Sequence, residues 1–309
     1  MYDVITFGAG SQDIYIKSKK FAVLGGNICV PIGSKTEAED ILFFSGGGGT
    51  NAAATFANQG FKVAYCGKVG QDYFGGLAIK DLKARKIDVG FVLRAKEKAT
   101  NVSFFLTYPE KDRTILVYRG ASDLLYEKDI PWTKIKQAKW FYLAPFSGKL
   151  ADLTEGLVDF AKKNKIKVAF NPGYDQLNFS KPLLTRILKK VDVLILNQKE
   201  AAKLTDKLDG MAWGIVVTTR GGQGAVVSDG KYLYQAKSLG LKLVDATGAG
   251  DSFGSGFVSG LIQKDDIIYA IQLAMANSGY NITKWGAKEG LLKKGQNWPK
   301  VKVLKENRR

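Results

Sequence analysis

The sequence predicts an α/β protein: a doubly wound, mainly parallel sheet in three layers, with a small second β-sheet standing apart from it. Short apolar runs rich in Val, Ile and aromatic residues alternate with longer stretches of helical periodicity. Strands covered on both faces read as near-continuous apolar runs, and such alternation is what a parallel sheet between two helical layers requires. The small sheet is predicted by Ser103-Phe104-Phe105-Leu106-Thr107-Tyr108 and Arg113-Thr114-Ile115-Leu116-Val117-Tyr118, which flank Pro109-Glu110-Lys111-Asp112 as the arms of a hairpin.

Taken in order, Asp3-Val4-Ile5-Thr6-Phe7 is a strand ending at Gly8. Asp13-Ile14-Tyr15-Ile16-Lys17 alternates and Ile41-Leu42-Phe43-Phe44 is strand-like; both join the small sheet. Ala52-Ala53-Ala54-Thr55-Phe56-Ala57 is a small-residue helix able to pack closely. Buried strands follow at Val63–Cys66, Trp140–Leu143, Val168–Phe170, Val193–Leu196 and Ile215–Val217, with helices near 75–86, 150–164, 181–190 and 200–205. Leu241-Lys242-Leu243-Val244 reads as a last strand, and Phe253 to Leu261 as a buried helix. Ligands in such sheets sit beyond the carboxyl ends of the strands.

Composition narrows the class. The chain has 309 residues and is 45% hydrophobic, enough for a large core. No apolar run approaches the roughly 20 residues of a membrane span, and Met1-Tyr2-Asp3-Val4 does not open a secretory leader, so a cytoplasmic protein is expected. Cys29 and Cys66 are too few for a disulfide framework, and His is absent, which removes His-based triads and leaves Asp as the natural base. Lys and Arg number 46 against 29 acids, a net charge of +17. The basic residues are spread along the chain, and no aromatic RNA-binding pattern interleaves them. Specific nucleic-acid binding is therefore not expected, although a basic nucleic-acid-binding protein on an enzyme-like scaffold is the alternative of another class.

Two glycine-rich elements carry the chemistry. Asp245-Ala246-Thr247-Gly248-Ala249-Gly250-Asp251 opens a helix with small residues, so bare amides face outward as a site for phosphate. A carboxylate beside bound phosphate is repulsive; Asp251 is then either a base that takes a proton from an attacking hydroxyl or an ordinary capping residue. Ser45-Gly46-Gly47-Gly48-Gly49-Thr50-Asn51 is either a flexible linker or a loop whose backbone runs tight against a ligand, with Asn51 in the first helical turn able to donate to and accept from sugar hydroxyls. Gly8-Ala9-Gly10-Ser11-Gln12-Asp13 has Asp where a dinucleotide fingerprint needs Gly, and no Walker-type phosphate loop occurs.

These residues resemble the two signatures of the ribokinase (PfkB-type) family of carbohydrate and nucleoside kinases. The first is matched by Gly46–Asn51, continuing to Gly67-Lys68-Val69-Gly70-Gln71-Asp72, and the second by Asp245–Asp251. Asn197-Gln198-Lys199-Glu200 and Thr219-Arg220-Gly221-Gly222-Gln223-Gly224 match two weaker motifs in the expected order, so the likeness runs from Asp13 to about Gly279. The resemblance implies a ribokinase-like fold with a large domain of residues 1–10, 46–95 and 121–309, and a β lid of residues 11–45 and 96–120. It also implies transfer of the γ-phosphate of ATP to a hydroxyl of a small sugar, with a nucleoside as the alternative acceptor. Asp251 would be the base, and Gly248, Ala249 and Gly250 the anion hole. Asp13, Gly47, Gly48 and Asn51 would hold the acceptor, with Arg119 available to a phosphosugar or simply a solvated strand end. Asn197, Thr219, Gly221, Gly222, Gly224 and Asn277 would line the nucleotide site. Mg²⁺ would be held through water by Asn197 and Glu200, which equally suit a helix cap. Asp245 and Thr247 would offer carbonyls to a K⁺ ion, as in some relatives. A homodimer through the lid is expected. The chain departs from ribokinase itself in carrying Gly48 where Lys is usual, and in lacking an acidic residue at Leu143-Ala144-Pro145. Phe104, Tyr108 and Tyr118 could stack on a purine.

Overall fold

A computed structural model describes residues 1–108, 113–205 and 214–308. Among these, a ten-stranded sheet runs in spatial order Val303–Asn307, Tyr232–Ala236, Ala225–Ser228, Ile215–Thr219, Val193–Asn197, Lys167–Phe170, Ala138–Leu143, Tyr2–Phe7, Val63–Gly70 and Asp88–Ala95. From Ile215–Thr219 through Asp88–Ala95 every pairing is parallel, with Phe7 level with both Leu143 and Cys66. The other three strands are antiparallel. Both faces are covered. Ile5, Phe141, Val168 and Leu194 pack under the helices Leu153–Lys163 and Lys181–Leu188. Their sequence neighbours Val4, Trp140, Tyr142, Ala169 and Val193 pack under Gly48–Asn58, Ala249–Lys264 and Ile267–Asn281. Side chains that alternate between two apolar layers explain why these strands are apolar throughout.

Four strands form the smaller sheet, in the order Asp40–Gly46, Ser11–Lys17, Asn101–Thr107, Thr114–Tyr118. The chain leaves the large sheet at Phe7, enters Ser11–Lys17 almost at once, and returns through Asp40–Gly46 into the Gly48–Asn58 helix. Its later excursion closes on Asn101, whose Oδ1 accepts from the amides of Gly120 and Ser122, both at 3.2 Å. The turn expected at 109–112 lies outside the described residues.

Register divides this sheet into two faces. Asp13, Tyr15, Phe44, Ser103 and Phe105 share one face; Ile14, Phe43, Phe104 and Leu116 share the other. Tyr15 and Phe105 are buried, whereas Phe43 and Leu116 are each 55% exposed. The face of Tyr15 therefore lies on the large domain, and the face of Phe43 is turned away from it.

Some expectations need correction. Leu241–Val244 is not a strand but irregular chain, with Leu241, Leu243 and Val244 exposed. The antiparallel edge of the large sheet and the helix Ile267–Asn281 were not foreseen, although Asp229-Gly230 between Ala225–Ser228 and Tyr232–Ala236 is a hairpin signal. Phe104 and Tyr118 fall on the outward face and cannot stack on a ligand above Asp13.

Candidate active site

The helix Ala249–Lys264 begins after Gly248, whose φ of 79° is left-handed and whose missing side chain avoids Ala287, 2.6 Å from where a Cβ would lie. Asp245 shapes the turn before it: Oδ1 accepts from the Thr247 amide at 2.9 Å and from the Thr247 hydroxyl at 2.7 Å. The first-turn amides of a sixteen-residue helix are thus presented at a fixed loop, where the helix dipole favours an anion.

The other glycine run meets this loop. Gly47 has φ of 94°, and a Cβ there would overlap the carbonyl of Ala9. Gly46 leaves the room that the Asp13 carboxylate fills, and Gly48 lies beside Asp251, where a Cβ would stand 3.4 Å from Oδ1. Asn51, 5% exposed, donates from Nδ2 to Asp251 Oδ2 at 2.8 Å. Its Oδ1 is buried and has no partner within the protein. A buried acceptor of this kind costs free energy unless something donates to it. Burial pushes the Asp251 carboxyl above the usual carboxylate range, against the pull of Asn51 and of Lys288. Asp13 accepts from the Ser11 hydroxyl at 3.0 Å; burial raises its pKa to about 6, opposed mainly by Ser11 and Lys288. The site therefore holds two carboxylates with perturbed affinity for a proton, bridged at Asp251 by an amide with a free acceptor.

Beyond the loop lies a cleft of about 910 Å³ lined by Asn197, Thr219, Gly221, Gly222, Gly224 and Gly250. Its volume suits a drug-sized or nucleotide-sized molecule. The apolar wall is Leu241, Leu243, Met275 and Ile282, which sequence reasoning missed. An apolar run beside a phosphate loop was the available signal, and it was read as a strand. Asn197 and Glu200 form a reciprocal cap on the helix Gln198–Thr205: Glu200 Oε2 accepts from the Asn197 amide at 2.7 Å, and Asn197 Oδ1 from the Glu200 amide at 3.0 Å. Among the described residues no three His, Cys, Asp or Glu side chains converge as a metal cage. The residues present suit a divalent ion that keeps its water shell and phosphate ligands, and not one stripped onto protein oxygens.

One expected site residue stands elsewhere. Asn277 is fully buried and does not face the cleft: Nδ2 donates to Ser252 O at 2.7 Å and to Thr55 Oγ1 at 3.2 Å, while Oδ1 accepts from the Leu292 amide at 2.9 Å. It clamps three helices and the following segment. Arg119 is exposed just after the outer edge strand. One buried charge was unforeseen. Lys288 Nζ donates to Ser45 Oγ at 2.7 Å and pairs with Asp81 Oδ2 at 3.1 Å, with its side chain 2% exposed. It comes from the most basic stretch of the sequence, where a lysine reads as a solvated charge.

The profile of the "pfkB family carbohydrate kinase" matches residues 2–294. A ribokinase of Lactococcus lactis subsp. lactis is 27% identical over 321 residues, covering 99% of both chains. Among solved structures, the nucleoside kinase of Methanocaldococcus jannaschii superposes with a TM-score of 0.80 at 18% identity, over 94% of this chain and 95% of its own. The Arabidopsis thaliana ribokinase complexed with ribose and ATP gives 0.77 at 17% identity, over 94% and 96%. Among the described residues no helix is long and apolar enough to cross a membrane.

Proposed function

The chain belongs to the pfkB family of carbohydrate kinases and is a phosphotransferase with an alcohol acceptor, and from that premise we propose that it moves the γ-phosphate of ATP to a hydroxyl of a small sugar, with Asp251 as the base. The observation that carries this reading is the Asn51–Asp251 hydrogen bond at 2.8 Å, which joins the two glycine loops and leaves Asn51 Oδ1 buried and unsatisfied. An acceptor hydroxyl donating to that oxygen would lie next to Asp251.

Asp13, Gly47, Gly48 and Asn51 hold the acceptor; Asp13, at the root of the lid, takes hydrogen bonds from its hydroxyls and fixes its orientation. Asp251 removes the proton of the attacking hydroxyl, and the Gly248, Ala249 and Gly250 loop stabilises charge developing on the transferred group. Thr219 to Gly224 and the apolar wall at Leu241 and Leu243 take the base and ribose of ATP. Mg²⁺, when bound, would neutralise charge on the phosphates, and Asn197 and Glu200 would hold it through water. The carbonyls of Asp245 and Thr247 are the candidate seat of a monovalent cation; turnover in KCl set against NaCl tests it.

A sugar is favoured over a nucleoside by the lid. Of its inward aromatics, Tyr15 and Phe105 stack on each other at 4.4 Å and 8° between planes, and Phe44 packs edge-on to Tyr15 at 5.7 Å and lies against Gly286, so each ring already has a partner. Phe104 and Tyr118 point outward. The outward face, with Phe43, Phe104 and Leu116, suits the lid of a second copy. An ADP-release assay with MgATP against sugars, phosphosugars and nucleosides tests the assignment. Turnover with sugars supports it, and turnover confined to nucleosides overturns the acceptor class.

A further inference from the structure

Five contacts converge where the lid meets the large domain around residues 245 and 285–288. Tyr15, fully buried on the lid strand Ser11–Lys17, donates its hydroxyl to Asp245 Oδ2 at 2.7 Å. The edge of its ring meets Trp285 at 5.4 Å and 78°. Lys17 on the same strand sits 4.0 Å over the Trp285 ring. Phe44 of the neighbouring strand lies on Gly286, where a Cβ would come within 2.6 Å of its ring. Lys288 reaches Ser45 at 2.7 Å. Of these, the Tyr15 bond alone ends on the carboxylate of Asp245, while Lys288 acts on Asp13 and Asp251 through its charge. Asp245 Oδ2 also accepts from the Gly286 amide at 3.1 Å, and its other oxygen holds the amide and hydroxyl of Thr247. One carboxylate thus ties the lid, the 285–288 segment and the turn that aims the Gly248–Gly250 backbone.

We propose that Tyr15 is a positioning residue that couples the lid to the phosphate loop, so that the placement of one sets the placement of the other. The inference rests on the kinase reading of that loop. Its physical basis is a charge-assisted hydrogen bond in a dry environment. Such a bond is strong when made, and leaves the carboxylate short of a donor when broken. Burial holds the phenol well above its ordinary pKa, so Tyr15 remains a donor throughout the working pH range. A nucleotide that fixes the loop through its phosphates then stabilises the lid strand, and by reciprocity a seated lid improves the loop for phosphate. The other four contacts hold the lid against the segment without a hydrogen bond to Asp245.

Tyr15→Phe removes only the hydroxyl and keeps the ring stacked on Phe105. The test follows backbone hydrogen exchange of wild type and Tyr15→Phe with and without Mg·AMP-PNP, a non-hydrolysable ATP analogue. In wild type the nucleotide should slow exchange both at 219–224 in the cleft and at 11–17 in the lid. In the variant, protection at 219–224 under saturating Mg·AMP-PNP should be retained, while protection at 11–17 is lost and the Kd for Mg·AMP-PNP rises, as reciprocity requires. Turnover at saturating substrates should fall about 10- to 100-fold, the factor that a hydrogen bond to a charged group is worth. A residue that merely packed the lid would alter exchange at 11–17 equally with and without nucleotide. Lid protection by nucleotide that persists in Tyr15→Phe, or that is absent in wild type while the cleft is protected, overturns the coupling alone. Absence of protection at 219–224 in wild type overturns the nucleotide reading, and the coupling with it.

Discussion

Replacing Asp251 by Asn isolates proton removal from everything else the carboxylate does. The two side chains have the same shape, and an Asn carbonyl at this position still accepts from Asn51 Nδ2, now at 2.8 Å from Asp251 Oδ2. The close approach of Gly48 to Oδ1 is unaffected. Only the basic electron pair is lost. A positioned general base contributes roughly 10²- to 10⁴-fold, which is about 2.7 to 5.4 kcal/mol of barrier at 1.36 kcal/mol per tenfold. The expected result is a kcat lowered by that factor, with the KM for ATP nearly unchanged because the cleft does not depend on residue 251.

Stability supplies the control. Burial raises the folded-state pKa of Asp251 above the ordinary 3.8. The native state therefore holds its proton more tightly than the unfolded chain, and the associated stability is fully present below the ordinary value and lost as pH rises through the raised one. Above that raised value the ionised carboxylate is a burden on the fold, which a neutral Asn relieves. Thermal melts at pH 7 should show Asp251→Asn at least as stable as wild type. ADP release at saturating acceptor and MgATP measures the kcat. Near-normal turnover in a folded variant would refute the base assignment; a lowered Tm with lost activity would show that Asp251 holds the fold instead.

Asp13, with its pKa raised by burial to about 6, should make kcat/KM for the acceptor fall as pH drops through about 6, since the carboxylate accepts from hydroxyls through two charged oxygens and the neutral acid only through a weaker carbonyl; a profile flat from pH 5 to 8 would contradict its role. The same shift gives stability that is present below 3.8 and lost as pH rises through about 6, so Asp13→Asn should melt no lower than wild type at neutral pH while binding the acceptor worse. Asn51→Ala should raise the acceptor KM far more than that of ATP, and Gly222→Val the reverse; equal effects on both ligands would end the division of labour between the loops. Light scattering should report about twice the 33.7 kDa chain mass. Leu116→Lys, on the outward lid face, should give folded monomers, whereas a charge at Phe105, 3% exposed against Tyr15, should disturb the lid of each subunit and so cannot test the contact.

The legible parts of this chain are those where one local rule acts alone. Val4 and Ile5, or Trp140 and Phe141, are apolar on both sides because two helical layers cover the sheet, and that pattern survives reading one residue at a time. Asn51 and Asp251 stood out because glycine runs placed each at the first turn of a helix. What failed needed tertiary context. Leu241 and Leu243 are apolar because they wall a cleft, and an apolar wall has the same spelling as a strand. Phe105 and Leu116 look alike in a hairpin of alternating residues, and only the pairing of Phe105 with Ile115 and of Phe104 with Leu116 puts them on opposite faces. Asn277 carries a polar group suited to a ligand, yet its hydrogen bonds go to Leu292, Ser252 and Thr55, which lie 15, 25 and 222 residues away in sequence. Lys288 is invisible for the opposite reason, since its basic neighbourhood gives no hint that it is buried.

The glycines show how fold and function separate once space is considered. Gly47 and Gly248 adopt left-handed backbone, and their Cβ positions collide with Ala9 and Ala287, so their identity is demanded by the protein itself. Gly222 and Gly250 have ordinary backbone, and a Cβ on either would meet no protein atom within 4 Å. Packing gives no reason for glycine at those two positions. Emptiness alone is weak, because Gly76 and Gly156 on surface helices are equally unencumbered. What distinguishes Gly222 and Gly250 is that both line the same cleft, from two different motifs. A missing side chain that the fold does not need, facing a space that a nucleotide fits, is best explained by the approach of phosphate and ribose to backbone. The same reasoning says which substitutions separate binding from folding: Gly222→Val and Gly250→Ala should leave the melting temperature in place while weakening MgATP, whereas Gly248→Ala should lower both.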